Sequence, residues 1–536
     1  MPPSPAAAKV SMRSLPSIRD PILAFVATVV SVSVAAVLAS LVGSVAPAPI
    51  NQIAQPLLAA LVIAFAYIWR PGPALTAWLV LTLFVNTWAH YQSAEILHLD
   101  EALLPMLVLL ALVRYRGVAR GITVGFKEVA LVVFILAGLA SSLLNAVPPY
   151  VFSAALILLI KAIAAFYVAS WTTIRLEDVE RGGLVILGVA AVTLVLSLVE
   201  VFDPVAFRDA LGLPLSQAQR GVIPVVSSLF LQPGLFGWFT AFASLILYAY
   251  FLVHRRWWML VAALALNVGM LLSGRRRPLV GIVAAILTAL GWQVRHLPSL
   301  GSAVRAGVPL VLSAILLVGV SLPFFGQFYA STIESYVPDG EIIQELALGD
   351  HELTREQSRS IQPRIALYAA SVAIAREHFP LGVGFGRFGS HISRVFYSPA
   401  YEEYGLSQVF GLRQRRPNAV TDTFWPMLLG EAGMIGMLGY GAFMGSIVLG
   451  AWRRGHAAPS QGERALQLAV LMVLVLALVE STVAPTFTAP PVAYFVFVAA
   501  GASVAVRAAA TASDSGPPPR AGRSASAGGL GYAQRP

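Results

Sequence analysis

Three consecutive arginines, Arg275, Arg276 and Arg277, stand between Gly274 and Pro278 where two apolar runs meet. A guanidinium stays charged at any working pH and grips phosphate oxygens in a two-pronged fork. Arg220, ahead of another apolar run, and Arg364, in the first turn expected of a loop helix, are candidates to converge with them. The amides of a helix start also favour an anion. Arg275, Arg276, Arg220 and Arg364 are therefore read together as a candidate diphosphate-binding set. The competing reading makes each an ordinary boundary arginine that snorkels to lipid phosphates, or traces the cluster to a miscounted span.

The second kind of chemistry is carboxylate. Asp422 lies in Thr421-Asp422-Thr423-Phe424-Trp425, and Glu431 follows in Leu428-Leu429-Gly430-Glu431-Ala432-Gly433. A carboxylate at the start of a membrane helix is expensive to desolvate and is a functional candidate by default. Each can accept the proton of an attacking hydroxyl; equally, Asp422 can be a helix cap. The run Gly384-Phe385-Gly386-Arg387-Phe388-Gly389 has GxGxxG spacing. It follows a helix rather than a strand, so it is read as a close turn returning a loop helix to the bundle, not as a dinucleotide site. Gly441 and Gly445, four apart, are expected to serve helix packing.

The elements that must position these residues are membrane helices. The 536-residue chain is 57% hydrophobic and 12% charged, with a mean hydropathy of +0.76, whereas soluble domains are about a quarter charged. Its net charge of +10 sits in short clusters between apolar runs, a pattern of membrane proteins rather than of nucleic-acid binders. The absence of cysteine excludes disulfides, thiolate nucleophiles and Cys-ligated metal sites. Apolar runs at 21–45, 50–69, 73–89, 101–115, 127–146, 151–171, 182–201, 230–253, 257–273, 277–294, 306–324, 423–452, 464–483 and 488–507 predict an all-α, polytopic membrane bundle of about 12–14 helices. The expected divisions are a cytoplasmic leader (1–20), an N-terminal bundle (21–324), a large extracytoplasmic loop (325–422), C-terminal membrane helices (423–507) and a disordered cytoplasmic tail (508–536). Alternate linkers are basic, which puts both termini in the cytoplasm. Within the loop, an acidic stretch from Glu334 to Glu356 precedes a helix opened by Pro363, with Ile365, Tyr368, Val372 and Phe379 along one face. On this topology the arginines face the outer leaflet, where a polyprenyl-diphosphate sugar would sit.

The ordered set Arg220, Leu231-Gln232-Pro233-Gly234, Ser273-Gly274-Arg275-Arg276, Arg364, Pro380-Leu381-Gly382-Val383-Gly384-Phe385-Gly386 and Glu431-Ala432-Gly433 resembles the O-antigen ligase and O-antigen polymerase superfamily of bacterial surface-polysaccharide assembly. The resemblance covers the C-terminal 60% of the chain, roughly. It implies a helical bundle with a lid-like extracytoplasmic loop in the bacterial inner membrane. The implied reaction transfers a glycan from undecaprenyl diphosphate to an acceptor hydroxyl without metal, nucleotide or other cofactor. Many ligases carry a His-Asn pair where this chain has Thr421-Asp422, so either Asp422 replaces that histidine as base, with Glu431 second, or His391 serves from the loop. An acidic residue here matches some polymerase-like members, and a polymerase is the expectation, with a ligase as the alternative. Expected partners are the undecaprenyl-diphosphate-linked oligosaccharide, the bilayer and, by analogy, a chain-length regulator and a flippase. The rival classes are a transporter or flippase and a membrane component without chemistry.

Overall fold

The computed structural model describes residues 48–91, 96–97, 99–117, 124–215, 219–220, 223–294, 307–323 and 361–514. The leader, the expected first span at 21–45, the acidic stretch and the tail beyond 514 lie outside the described residues.

The chain is a helical membrane bundle. It runs through α1 (Ala48–Trp69), α2 (Pro71–Tyr91), α3 (Leu99–Gly117), α4 (Phe126–Leu144), α5 (Pro149–Ser170), α6 (Leu176–Phe202) and the short α7 (Pro204–Ala210). Next come α8 (Pro233–His254), α9 (Trp257–Leu272) and α10 (Arg277–Val294), then α11 (Gly307–Pro323). The loop contributes α12 (Pro363–Glu377), α13 (His391–Val395) and α14 (Ala400–Glu403), and α15 (Trp425–His456), α16 (Gln461–Ser481) and α17 (Val492–Asp514) close the bundle. Among the described residues, eight helices are long and apolar enough to cross a membrane, and four shorter ones are apolar. The helical form is dictated by lipid, which offers no partner to an unsatisfied amide. Proline sits in the first turn of α5, α7, α8, α12 and α15, where its missing N–H removes no helical hydrogen bond. The one extended pairing among the described residues is a two-residue ladder, Gln219–Arg220 against Ile223–Pro224.

One expectation is corrected. Gly441 and Gly445 face open space. The close helix contact is made instead by Gly439, where a Cβ would stand 2.9 Å from Phe134 N and 3.0 Å from Ala130 O, so that α15 lies against the backbone of α4. Along the apolar face of the loop helix, Tyr368 and Val372, with Phe379 just beyond α12, are exposed, while Ala366, Leu367, Ala370, Ala373 and Ile374 are buried. Small side chains let α12 approach its neighbours more closely than the aromatic stripe would. At the other end of the described chain, α17 runs to Asp514, and Ala508, Ala509 and Ala510 favour helix there.

One buried ion pair anchors the long connection between α6 and α8. Arg208 Nε stands 2.8 Å from Glu200 Oε1, with both side chains 1% exposed. Ser227 and Ser228 donate their backbone N–H groups to Glu200 Oε2 at 3.0 and 2.6 Å, and Arg208 Nη1 donates to Phe230 O at 3.1 Å. These bonds meet both Glu200 oxygens and two of the three Arg208 guanidinium nitrogens, and a pair so enclosed depends on such compensation. It fixes the chain as it enters Gln232 and α8.

Candidate active site

Glu431 owes its position to a break in α15. Gly433 has φ 66 and ψ −165, a region open essentially to glycine alone. The break frees the carbonyls of Gly430 and Glu431, which accept from Val383 N–H at 2.8 Å and Gly384 N–H at 2.9 Å. Residues 380–389 thus dock against the interrupted helix. The Phe385 ring fills a notch in α4, where a Cβ on Gly138 would lie 1.9 Å from Phe385 Cζ. Ser141 Oγ and Asn145 Nδ2 donate to Gly382 O at 2.5 and 2.9 Å. The Gly384–Gly389 run is therefore a docking turn. Its amides serve the protein: Phe385 N–H goes to Ser142 Oγ, Phe388 N–H to Glu431 Oε1 at 3.1 Å, and Gly389 N–H to Tyr401 Oη.

Glu431 is 1% exposed yet lines a cavity of about 440 Å³, together with His391, Thr421, Asp100 and Lys161. His391 begins α13, behind the cap Ser390. Arg394 Nη2 lies 3.1 Å from His391 Nδ1; arginine can only donate, so Nδ1 accepts and the neutral ring carries its proton on Nε2. Burial first, then the charges of Arg394 and Lys161, hold the His391 pKa below its ordinary value, which favours the neutral ring. Across the cavity, Lys161 Nζ pairs with Asp100 Oδ2 at 3.0 Å and with Glu101 Oε1 at 3.7 Å. Tyr494 Oη also donates to Asp100 Oδ2.

A second cavity of about 230 Å³ is lined by Arg275, Arg277, Glu480, Gln232 and Gly234. It shares Asn86, Pro485, Ala489 and Pro490 with the first, so one thin wall separates the guanidinium groups from the space beside Glu431. Gly234 makes room for Arg275: a Cβ there would stand 3.4 Å from the guanidinium Nε. Arg277 Nη1 donates to Val483 O at 2.6 Å, which ties the arginine turn to the linker between α16 and α17.

The candidates from the sequence are distributed unevenly. Arg275 lines the second cavity, while Arg276 is absent from the lining of both. Arg364 Nη2 stands 2.5 Å from Asp422 Oδ2, so these two, expected to bind phosphate and proton separately, hold each other. Asp422 is not the helix cap either, since Phe424 occupies that position; its neighbour Thr421 reaches the cavity. Arg220 lies in the two-residue ladder, and its side chain is outside the described residues. Glu431 and His391 share one cavity. Sequence reasoning left out Arg277, Glu480, Asp100 and Lys161. A usable signal was there for two of them: Lys161 is a lone charge inside the run 151–171, and Glu480 interrupts 464–483.

Residues 260–441 match the family described as O-antigen ligase. That stretch extends from α9 into α15 and contains Arg275, Arg277, Arg364, His391, Asp422 and Glu431. No curated protein matches the chain.

Proposed function

Because residues 260–441 make the chain a member of the O-antigen ligase/polymerase superfamily, we propose that it polymerises undecaprenyl-diphosphate-linked oligosaccharide repeat units into a surface polysaccharide. The observation that carries this reading is the pair of adjoining cavities, one with Arg275 and Arg277, the other with Glu431 and His391. A glycosyl diphosphate needs its two parts held in different surroundings. The diphosphate requires fixed positive charge, and the sugar requires room beside a proton acceptor.

In the reaction, an acceptor sugar hydroxyl attacks the anomeric carbon from the side opposite the diphosphate. The new C–O bond forms as the bond to the diphosphate breaks, with inversion. The electron pair leaves with the diphosphate, where Arg275 and Arg277 stabilise the growing charge. Glu431 takes the hydroxyl proton. His391 presents Nε2–H to the cavity and orients a sugar oxygen as a donor. Asp422, paired with Arg364, steadies the start of α15 rather than acting as the base. The active site faces the periplasm from the bacterial cytoplasmic membrane, a placement supported by the basic residues Arg255, Arg256, Arg453 and Arg454 at the other helix ends. A chain-length regulator and a flippase of the same pathway are its working partners.

The matched family's description favours a second reading, a ligase that moves the finished glycan to a final acceptor. Gene deletion followed by gel analysis of lipid-linked and surface glycans separates the two. Single repeat units accumulating on the carrier support the polymerase, and full-length chains stranded on it support the ligase. An unchanged profile refutes both. Movement of labelled lipid-linked sugar across liposomes with no new glycosidic bond would make the chain a transporter instead.

A further inference from the structure

Helices α8, α10 and α16 bracket the arginine cavity at one end, through Gln232, Arg277 and Glu480. At their other ends they bracket a separate cavity of about 230 Å³, lined by Leu252, Val253, Arg255, Trp292, Gln293, Gln461 and Arg464. The 22 residues of α8 span ~33 Å at 1.5 Å per residue, close to the ~30 Å of a hydrocarbon core. The two cavities therefore lie at opposite membrane boundaries.

We infer that this second cavity binds the phosphate of an anionic membrane lipid headgroup, at the face opposite the proposed active site. Four observations support it. Two guanidinium groups, Arg255 and Arg464, meet in one cavity with the amides of Gln293 and Gln461. Arg255 Nη2 reaches Gln293 Oε1 only at 3.4 Å, and Arg464 Nε is buried with no hydrogen-bond partner among the described residues, so donor capacity remains for an incoming oxygen. The nearby carboxylate of Glu463 is engaged by Arg507 at 3.6 Å. Trp257 and Trp258, directly after the Arg255-Arg256 pair, are 64% and 56% exposed; indole rings in such positions settle at headgroup depth. Paired arginines at that depth meet phosphodiesters of the leaflet, and basic pockets between helices hold such groups. The apolar floor of Leu252, Val253 and Trp292 suits the glycerol and upper acyl segments below the phosphate.

The test titrates the purified full-length protein in neutral detergent with phosphatidylglycerol, inorganic phosphate or diacylglycerol, reading thermal unfolding. Phosphatidylglycerol is expected to stabilise saturably. The Arg255→Gln/Arg464→Gln variant is expected to need about tenfold more lipid, from the loss of charge-assisted bonds. Should that variant not fold, Arg255→Lys/Arg464→Lys keeps the charge without the fork and is expected to bind more weakly than wild type. Stabilisation by inorganic phosphate that the same variants weaken would keep the anion site and assign it a soluble source. Equal stabilisation by diacylglycerol, or variants that titrate like wild type, would overturn the site.

Discussion

Replacing Gly433 with alanine tests whether the break in α15 builds the active site. The glycine sits at φ 66 and ψ −165, where a side chain costs about 1–3 kcal/mol. Its new Cβ would also lie 2.5 Å from Leu381 C and from Pro380 O. These are backbone atoms that cannot rotate aside, and overpacking of this kind adds about 1–3 kcal/mol. Two relaxations are open. The helix can close up at 433, or the 380–389 turn can lift away. Either one breaks the hydrogen bonds from Val383 and Gly384 to Gly430 and Glu431 and the Phe388 N–H bond to the Glu431 carboxylate. Taking only ~2 kcal/mol against the docked turn, its docked-to-undocked ratio falls about thirtyfold, and polymer output should fall with the docked fraction. Gly441→Ala is the control on the same helix, because nothing lies within 4 Å of its Cβ; it should be neutral or stabilising by up to about 1 kcal/mol. The assay is in vivo glycan laddering with thermal unfolding of each purified variant. Normal ladders and normal unfolding in Gly433→Ala would refute the docking argument.

Arg275→Ala should lower polymer formation by about 10², whereas Arg276→Ala, outside both cavity linings, should have little effect in the same ladder assay. Glu431→Gln is expected to cost about 10² in rate, and Asp422→Asn less than Glu431→Gln; the reverse order would return the base to Asp422. A double-mutant cycle on Arg364 and Asp422, both partly exposed, should give a coupling of about 1 kcal/mol in unfolding free energy. The lowered pKa of His391 means that the unfolded chain binds a proton more readily. The contribution of this residue to stability is therefore intact above pH 6.5, the ordinary histidine value, and declines as pH falls through it. Subtracting the His391→Gln melting profile from that of wild type should isolate this slope, and a flat difference between pH 7.5 and 5 would contradict it.

The helices were readable because lipid leaves a span no choice of backbone structure, and runs such as 230–253 and 464–483 could form little else. Arg275 and Glu431 were readable because charge at a membrane boundary is conspicuous. The partners of charges were harder to read. Nothing local in Arg364 or Asp422 says that two residues 58 positions apart fold back to join each other. Gly433 was hidden for a related reason: a glycine in an apolar stretch looks the same whether it serves close packing or a helix break. GxxxG spacing likewise pointed to Gly441 and Gly445, although contact with α4 falls on Gly439. Spacing defines a helix face, but the neighbour that meets that face is chosen by the whole bundle.

Asp100 receives a hydrogen bond from Tyr494, 394 positions further along the chain, and Gly501 of α17 lies against the carbonyl of Phe166 in α5. A ribosome feeding this protein into a membrane releases Asp100 and Tyr494, which meet beside the cavity of Glu431 and His391, far apart in synthesis. Until α17 inserts, the Lys161–Asp100 pair lacks one wall and the linker carrying Pro485 and Ala489 has no anchor on its far side. The cavity proposed for glycan transfer is therefore completed late, when α17 docks against α5. A chain that stops before α17 would carry Glu431 and His391 but lack the Tyr494 contact to Asp100, and is expected to be inactive in the proposed transfer.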